Sequence, residues 1–324
     1  MLAGYLVVCV VGLALLARSS DALVVGSSAL AARLGVPTLV IGLVVIGFGT
    51  STPELLVSGL AAASGSPAIG VGTVIGSNIA NLSLILGAAA LVAPVAVRAE
   101  VVRREAPLAL LASLAFALAL QNGLTRIDGV LLLLLMAACL ALLLHWASGD
   151  RTLPAQRSQE LGEDVAELVA ADAGRSLSRV GVQAAAGLLG TLLGAQALVW
   201  ASVGMARAAG LSEGFVGATI VAVGTSLPEL ITSAQAARRG EPDLIVGNLL
   251  GSNLFNALAV GGVVAVIDGG TAVGPGLRVT GCLVMLAVSA LAMLFMRRRF
   301  RVIRWEAATL IAVYVATLPL LGGA

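Results

Sequence analysis

The chain has 324 residues, of which 59% are hydrophobic and only 11% are charged, and its mean hydropathy is +1.05. A soluble globular protein cannot cover its surface with so few polar groups, so the composition excludes that class and indicates a polytopic membrane protein. The net charge is only +2, all 19 basic residues are arginine, and we expect no nucleic acid among the partners.

Ten apolar segments follow one another along the chain, separated by charged or Gly/Pro-rich stretches. They cover residues 2–17, 37–62, 67–93, 105–121, 127–146, 180–205, 213–236, 243–267, 276–296 and 303–321. Each is close to the roughly 20 residues that a helix needs to cross a bilayer. The first has no basic region before it, so we interpret it as a helix and not as a signal peptide. The sequence therefore predicts an all-α polytopic membrane protein with ten transmembrane helices.

The placement of arginines predicts the orientation of these helices. Sixteen of the 19 arginines follow the first, third, fifth, seventh and ninth segments, and three lie on the other side. Because positively charged loops are enriched in the cytoplasm, that first side is expected to be cytoplasmic and both termini to lie outside. We expect a multi-pass protein of the cell (inner) membrane, surrounded by the lipid bilayer and functional as a monomer.

Cysteines and the longest loop have modest predicted roles. Cys9, Cys139 and Cys282 each lie in an apolar segment, where they are expected to pack as small side chains without forming a disulfide or a metal site. The loop 147–179 contains six acidic residues and is interpreted as a solvated cytoplasmic linker.

An internal repeat divides the chain into two halves, 1–146 and 180–324. GTSTPELLVS at 49–58 returns as GTSLPELITS at 224–233, and GSNIAN at 76–81 returns as GSNLFN at 251–256, in both cases 175 residues later. Each half contains five predicted helices, so the second half must enter the membrane from the opposite face. The sequence thus predicts two inverted five-helix repeats, an arrangement typical of secondary transporters.

Two glutamates are the only acids deep inside the predicted helices. Glu54 and Glu229 occupy corresponding positions in the two repeats. A charge at such a depth costs roughly 2.5–3.5 kcal/mol on insertion scales. No arginine lies at the same depth to neutralise either carboxylate, so a functional role is favoured over a structural ion pair.

Hydroxyl side chains precede each glutamate by three or four residues, so they lie on or near its face of the helix. In the second motif a serine and an asparagine four residues apart share a helix face in the same way. The candidate ligands of this kind are Thr50, Thr225, Ser51, Ser226, Ser77, Ser252, Asn81 and Asn256. Pro53 and Pro228 are expected to free the backbone carbonyls four residues before them. The glycine-rich turns that precede the prolines are expected to open further and expose other carbonyls, such as those of Gly47 and Ala222. Oxygen ligands without sulfur or imidazole favour Na⁺ or Ca²⁺ over zinc or copper. Four glycines are expected instead to let helices pack closely: Gly72, Gly76, Gly247 and Gly251.

The paired GTSxPEL and GSNxxN motifs resemble the alpha-repeats of the cation/calcium exchanger superfamily, which includes sodium/calcium exchangers. The resemblance covers nearly the whole chain and implies a core of the second, third, seventh and eighth helices around the ions. It also implies that the first helix of each half belongs to a gating pair that slides across this core. It makes Glu54 and Glu229 the principal calcium ligands, completed by the carbonyls of Thr50 and Thr225. It assigns to the sodium sites Ser51, Ser77, Ser226 and Ser252, with backbone oxygens near Gly47 and Ala222, and places Asn81 and Asn256 beside the central position.

The expected function is that of a secondary antiporter, not an enzyme, which exchanges Ca²⁺ for Na⁺ by alternating access and needs no cofactor. Some relatives carry aspartate at the position of Asn256, and asparagine here lowers the case for potassium co-transport. A proton/calcium antiporter would use the same glutamates and stays open as the alternative. A cation channel is disfavoured by the inverted halves. An intramembrane enzyme is disfavoured because the sequence offers no convincing catalytic pair.

Overall fold

The computed structural model describes residues 2–33, 50–149, 176–270 and 273–322. Most of them are helical. In chain order the elements are α1 (Leu2–Arg33), α2 (Thr52–Ala63), α3 (Pro67–Val92), β1 (Val95–Ala96), a short helix (Ala99–Arg103), α4 (Glu105–Leu120), α5 (Arg126–Gly149), α6 (Leu177–Ala209), α7 (Glu213–Thr225 and Leu227–Arg239), α8 (Pro242–Asp268), α9 (Gly276–Arg299), β2 (Arg301–Val302) and α10 (Arg304–Gly322). Most of the predicted linker, residues 150–175, lies outside the described residues.

Seven of the described helices are long and apolar enough to cross a membrane, and α7 makes eight if its two bent segments form one span. Helix α4 has only 16 residues. The first part of the predicted segment 37–62 lies outside the described residues, and the helix described there, Thr52–Ala63, has 12 residues. A helical polytopic membrane protein is therefore confirmed, while the number ten stays a prediction.

The first helices of the two halves, α1 and α6, are longer than the sequence suggested. They have 32 and 33 residues, which at 1.5 Å per residue is about 50 Å, well beyond the ~30 Å bilayer core. Their backbones approach closely through small residues, since a Cβ added at Gly194 would lie 2.7 Å from the Leu16 amide nitrogen. Glycine permits this approach because it has no side chain. The pairing that the resemblance implies is present, and its sliding stays a prediction.

Helices α3 and α8 form the centre of the molecule. In their apolar windows 83% and 78% of residues are buried, compared with 17% in α1 and 22% in α5. Large apolar side chains are instead exposed on the outer helices, for example Val10 on α1 and Leu134 on α5, as expected for surfaces that face lipid. The two helices that carry the GSNxxN motifs are thus the ones most shielded from the surroundings.

Contacts between the segments that connect the helices are found at both ends of the bundle. At one end β1 pairs antiparallel with β2, and Arg98 Nε forms an ion pair with Asp243 Oδ1 at 3.0 Å. These contacts join the α3–α4, α7–α8 and α9–α10 loops, three of those predicted to share the arginine-rich side. At the other end Gln121 Nε2 donates a hydrogen bond to the Arg278 carbonyl at 3.0 Å. Because Arg98 follows α3 and Asp243 begins α8, the two corresponding helices run antiparallel.

Candidate ion-binding site

In both repeats a helical segment begins directly after the same serine of the first motif. Ser51 precedes α2 with φ −92° and ψ 6°, and Ser226 divides α7 with φ −87° and ψ 10°. The two segments of α7 meet at 43°. Pro53 and Pro228 lie two residues beyond each serine, where a proline cannot donate a backbone hydrogen bond. The predicted break is therefore confirmed in α7, and α2 begins at the corresponding position.

Glu54 and Glu229 each lie in the first turn of the helical segment that follows the serine, where the helix dipole favours a negative charge. Glu54 is 1% exposed and Glu229 is 0% exposed. Each accepts a hydrogen bond from the other repeat: Ser226 Oγ donates to Glu54 Oε1 at 3.0 Å, and Ser51 Oγ donates to Glu229 Oε1 at 3.5 Å. Within the described parts of the chain, the Oε2 atoms of both glutamates have no hydrogen-bond partner. The two carboxylates therefore share one buried centre between the repeats.

The serines of the second motif extend this centre. Ser252 Oγ donates to Glu229 Oε1 at 3.5 Å, and Ser226 Oγ lies 3.2 Å from Ser77 Oγ. Ser77 Oγ donates in turn to the Ala222 carbonyl at 3.5 Å. That carbonyl still accepts the Ser226 amide at 3.1 Å, so it lies at the site but is not freed by the break as predicted. The predicted serines thus surround the glutamates in two hydrogen-bonded sets, Ser226 and Ser77 with Glu54, and Ser51 and Ser252 with Glu229.

The two predicted threonines are not equivalent. Thr225 is buried, and its hydroxyl donates to the Val221 and Ala222 carbonyls at 3.1 and 3.3 Å, within its own helix. Thr50 instead donates to Asn248 Oδ1 on α8 at 3.2 Å. Asn248 was not predicted, because the corresponding residue of the first repeat is threonine and the repeat pattern gave no signal there. Gly47 lies outside the described residues.

The asparagines of the GSNxxN motifs have different partners: two of them bond α3 to α8, and Asn256 stays a candidate ligand. Asn78 Nδ2 donates to the Asn253 carbonyl at 3.2 Å, and Asn253 Nδ2 donates to the Asn78 carbonyl at 3.0 Å. This reciprocal pair joins α3 to α8 and was missed, although its presence in both GSN triplets was a signal. Asn81 Nδ2 donates to Asn253 Oδ1 at 2.9 Å. Asn256 is fully buried, and neither of its side-chain polar atoms has a partner in the described chain.

Each central helix also changes its winding at the last residue of its second motif. A π-helical turn covers Asn81–Ile85 in α3 and Asn256–Val260 in α8, at corresponding positions. Such turns are often found at functional sites. In both helices the turn begins at the asparagine that ends the GSNxxN motif.

The sequence predicts close helix packing at four glycines of the central helices. A Cβ at Gly72 or Gly76 would collide with the backbone of α7, at Gly214 and Ala218 respectively. No heavy atom lies within 4 Å of a Cβ at Gly247 or Gly251, as far as the described residues extend. The predicted close packing is confirmed for Gly72 and Gly76. For Gly247 and Gly251 it stays a prediction, because residues 39–43, which correspond to the packed part of α7, lie outside the described residues.

The donor set is suited to hard cations. Among residues 2–33, 50–149, 176–270 and 273–322, no group of three or more His, Cys, Asp or Glu side chains could hold a metal ion. The centre instead combines two carboxylates with neutral hydroxyl, amide and carbonyl oxygens, the ligand type of Ca²⁺ and Na⁺. A buried carboxylate oxygen without a partner is costly, and a bound cation would remove that cost.

Comparison with known proteins agrees with this chemistry. A family model described as sodium/calcium exchanger protein matches residues 4–145 and 181–321. The putative antiporter CaxA of Alkalimonas amylolytica is 39% identical over 82% of this chain and 80% of its own. The sodium/calcium exchanger MaX1 of Methanosarcina acetivorans is 30% identical over 97% of both chains.

Solved structures agree as well. The sodium-calcium exchanger NCX_Mj, soaked with 100 mM Na⁺ and 10 mM Sr²⁺, is 29% identical, with a TM-score of 0.62, and the match covers 98% of this chain and 99% of that chain. The family is one of transporters and not of enzymes. The chain belongs to the sodium/calcium exchanger protein family.

Proposed function

We propose that this protein is a secondary antiporter that exchanges Ca²⁺ for Na⁺ across the cell membrane by alternating access. The observation that carries the proposal is the crossed pairing of Ser226 with Glu54 and of Ser51 with Glu229. It supports a single ion centre to which both repeats contribute. The two carboxylates supply a charge of −2, which matches one Ca²⁺.

In this proposal Glu54 and Glu229 are the principal ligands of Ca²⁺, and the carbonyls of Thr50 and Thr225 complete its coordination. Sodium ions use the surrounding neutral oxygens together with the same carboxylates. Their ligands are Ser51, Ser77, Ser226 and Ser252, with backbone oxygens near Gly47 and Ala222. Asn81, held by Asn253, and Asn256, whose side chain has no hydrogen-bond partner among the described residues, flank the centre.

Competition for the carboxylates makes the exchange obligatory. Both cations need ionised glutamates, and an empty site would keep two uncompensated charges in a low-dielectric environment. The empty protein therefore resists the conformational change that either ion permits. If more than two Na⁺ replace one Ca²⁺, each cycle moves net charge.

The proposed architecture is that of ten transmembrane helices in two inverted five-helix repeats, 1–146 and 180–324, joined by the linker 147–179. The antiparallel directions of α3 and α8 and the reciprocal bonds between Asn78 and Asn253 support inversion. Both termini lie outside the cytoplasm, the monomer is the functional unit, and the α1–α6 pair slides across the core.

Proton coupling is the second candidate, and one observation favours it. The unpartnered Oε2 atoms of Glu54 and Glu229 could each hold a proton as readily as they could coordinate a cation. A proton/calcium antiporter would then use the same two side chains.

Calcium uptake into proteoliposomes separates the two candidates. Vesicles loaded with Na⁺ and diluted into Na⁺-free buffer at equal pH inside and outside should accumulate Ca²⁺, and the current should reverse when the sodium gradient is reversed. Glu54→Gln protein serves as the inactive control. Uptake that follows an imposed pH gradient and ignores Na⁺ would replace sodium coupling by proton coupling, and uptake without any counter-ion would indicate a channel.

A further inference from the structure

A cavity lies apart from the ion centre, at the end of the bundle where β1 and β2 meet. Its volume is about 340 Å³, and it is lined by Val102, Arg103, Pro107, Met293, Arg297 and Phe300. The short helix Ala99–Arg103, the first turns of α4 and the last turns of α9 form its walls. It thus lies where these helices leave the apolar part of the bundle.

The cavity combines two cations with an apolar wall. Arg103 and Arg297 are exposed, and within the described residues neither guanidinium takes part in an ion pair or a hydrogen bond. The other four lining residues are apolar. A site of this kind suits a ligand with an anionic group at one end and a hydrocarbon part at the other.

The surface next to the cavity continues this apolar character towards the middle of the membrane. On α4, Leu111 and Leu118 are 59% and 62% exposed and follow Pro107 by four and eleven residues. On α9, Leu294 is 57% exposed and precedes Arg297 by three residues. Residues three and four apart share a helix face, so exposed leucines lead away from the cavity along both helices.

We propose that this cavity binds the headgroup of an acidic phospholipid, with the phosphate between Arg103 and Arg297 and the acyl chains along the exposed leucines of α4 and α9. Charge complementarity selects the anion, and the adjoining leucines select a lipid over a free phosphate. The site is independent of the ion centre and does not depend on the exchange reaction.

Native mass spectrometry of the full-length protein, released from micelles with equal phosphatidylglycerol and phosphatidylcholine, tests the proposal. Wild-type protein should retain phosphatidylglycerol preferentially. The double variant Arg103→Gln/Arg297→Gln should lose at least about tenfold in that retention, because each arginine near an anionic headgroup changes the affinity by roughly fivefold. Arg238→Gln/Arg239→Gln, which removes the same charge from α7 at the same end, should retain it like the wild type.

A second measurement protects against a folding defect and distinguishes the source of the phosphate. Phosphatidylglycerol should raise the Tm of wild-type protein in detergent, and Arg103→Lys/Arg297→Lys should keep part of that increase. An equal increase with inorganic phosphate would identify a free-anion site and overturn the lipid proposal. Equal loss of retention in both glutamine double variants, or no preference for phosphatidylglycerol over phosphatidylcholine, would also overturn it.

Discussion

Helices α3 and α8 carry the same GSNxxN motif, yet their surroundings differ. On α3, Gly72 and Gly76 are pressed against the backbone of α7, and Thr73 is fully buried with its hydroxyl bonded to the Ile69 carbonyl of its own helix at 2.8 Å. On α8, Asn248 occupies the position that corresponds to Thr73, is only partly buried, and donates to the exposed Thr232 hydroxyl at 3.5 Å.

The two repeats therefore share the hydrogen bonds of the centre but differ in the residues that lead to it. The ion centre is nearly symmetric, because each glutamate accepts a hydrogen bond from a serine of the other repeat. The approaches to it are not, because Thr232, Asn248 and Thr50 form a polar chain from the surface on the α8 side. The fully buried Thr73 leaves no such chain at the corresponding place on α3. A symmetric centre with asymmetric approaches is what the proposed alternating-access mechanism expects in one of its states.

The largest expected effect tests the symmetry of the centre. Glu54→Gln and Glu229→Gln should each reduce calcium-coupled flux in proteoliposomes to background, because one remaining carboxylate cannot balance a divalent cation. Both variants should elute as folded protein in size-exclusion chromatography. The two losses should be equal, and normal calcium exchange by either variant would rule out the two-carboxylate centre.

The next effect concerns access. In a background without Cys9, Cys139 and Cys282, Asn248→Cys should react rapidly with a water-soluble maleimide, because its side chain lies on the exposed polar chain. Thr73→Cys should stay unlabelled over the same time, because this position is fully buried. Equal labelling of the two cysteines would remove the asymmetry on which the comparison rests.

A smaller difference is expected in stability. Gly76→Ala places a methyl group against the Ala218 carbonyl, and such overpacking costs about 1–3 kcal/mol. Gly4→Ala, at an exposed position of α1 where no heavy atom of the described chain lies within 4 Å of an added Cβ, gains up to ~1 kcal/mol of helix propensity. Thermal unfolding in detergent should therefore give a Tm several degrees lower for Gly76→Ala than for Gly4→Ala. Identical Tm values would show that α3 is not packed against α7 as described.

The smallest expected effect is a difference in apparent sodium affinity when either of the two crossed hydrogen bonds is removed. Ser226→Ala removes a contact of 3.0 Å to Glu54, and Ser51→Ala removes one of 3.5 Å to Glu229. Loss of the shorter bond should weaken apparent sodium affinity more, by about 0.5–1.5 kcal/mol or roughly two- to tenfold. The sodium concentration for half-maximal calcium uptake measures both effects. Thr309→Ala on α10, whose hydroxyl bonds the Trp305 carbonyl of its own helix, is the control away from the centre. A larger effect of Ser51→Ala would contradict the order of the two distances.

The sequence by itself determined the class of protein and the chemistry of the centre. Composition excludes a soluble fold because too few polar groups are present. The duplicated motifs identified Glu54, Glu229 and the four serines, because a charge is tolerated at that depth only where other oxygens or ions compensate for it. The break at Ser226 was also predictable, because proline removes a backbone donor wherever it lies in a helix.

Only the tertiary structure decided how the parts meet. The reciprocal bonds between Asn78 and Asn253, the contact between Thr50 and Asn248, and the full length of α1 depend on which helix surface faces which neighbour. A repeat pattern gives both copies the same expectation, so it could not show that position 73 on α3 is fully buried while position 248 on α8 is only partly buried. Packing is a property of pairs of surfaces, and two identical motifs acquire different environments as soon as their neighbours differ.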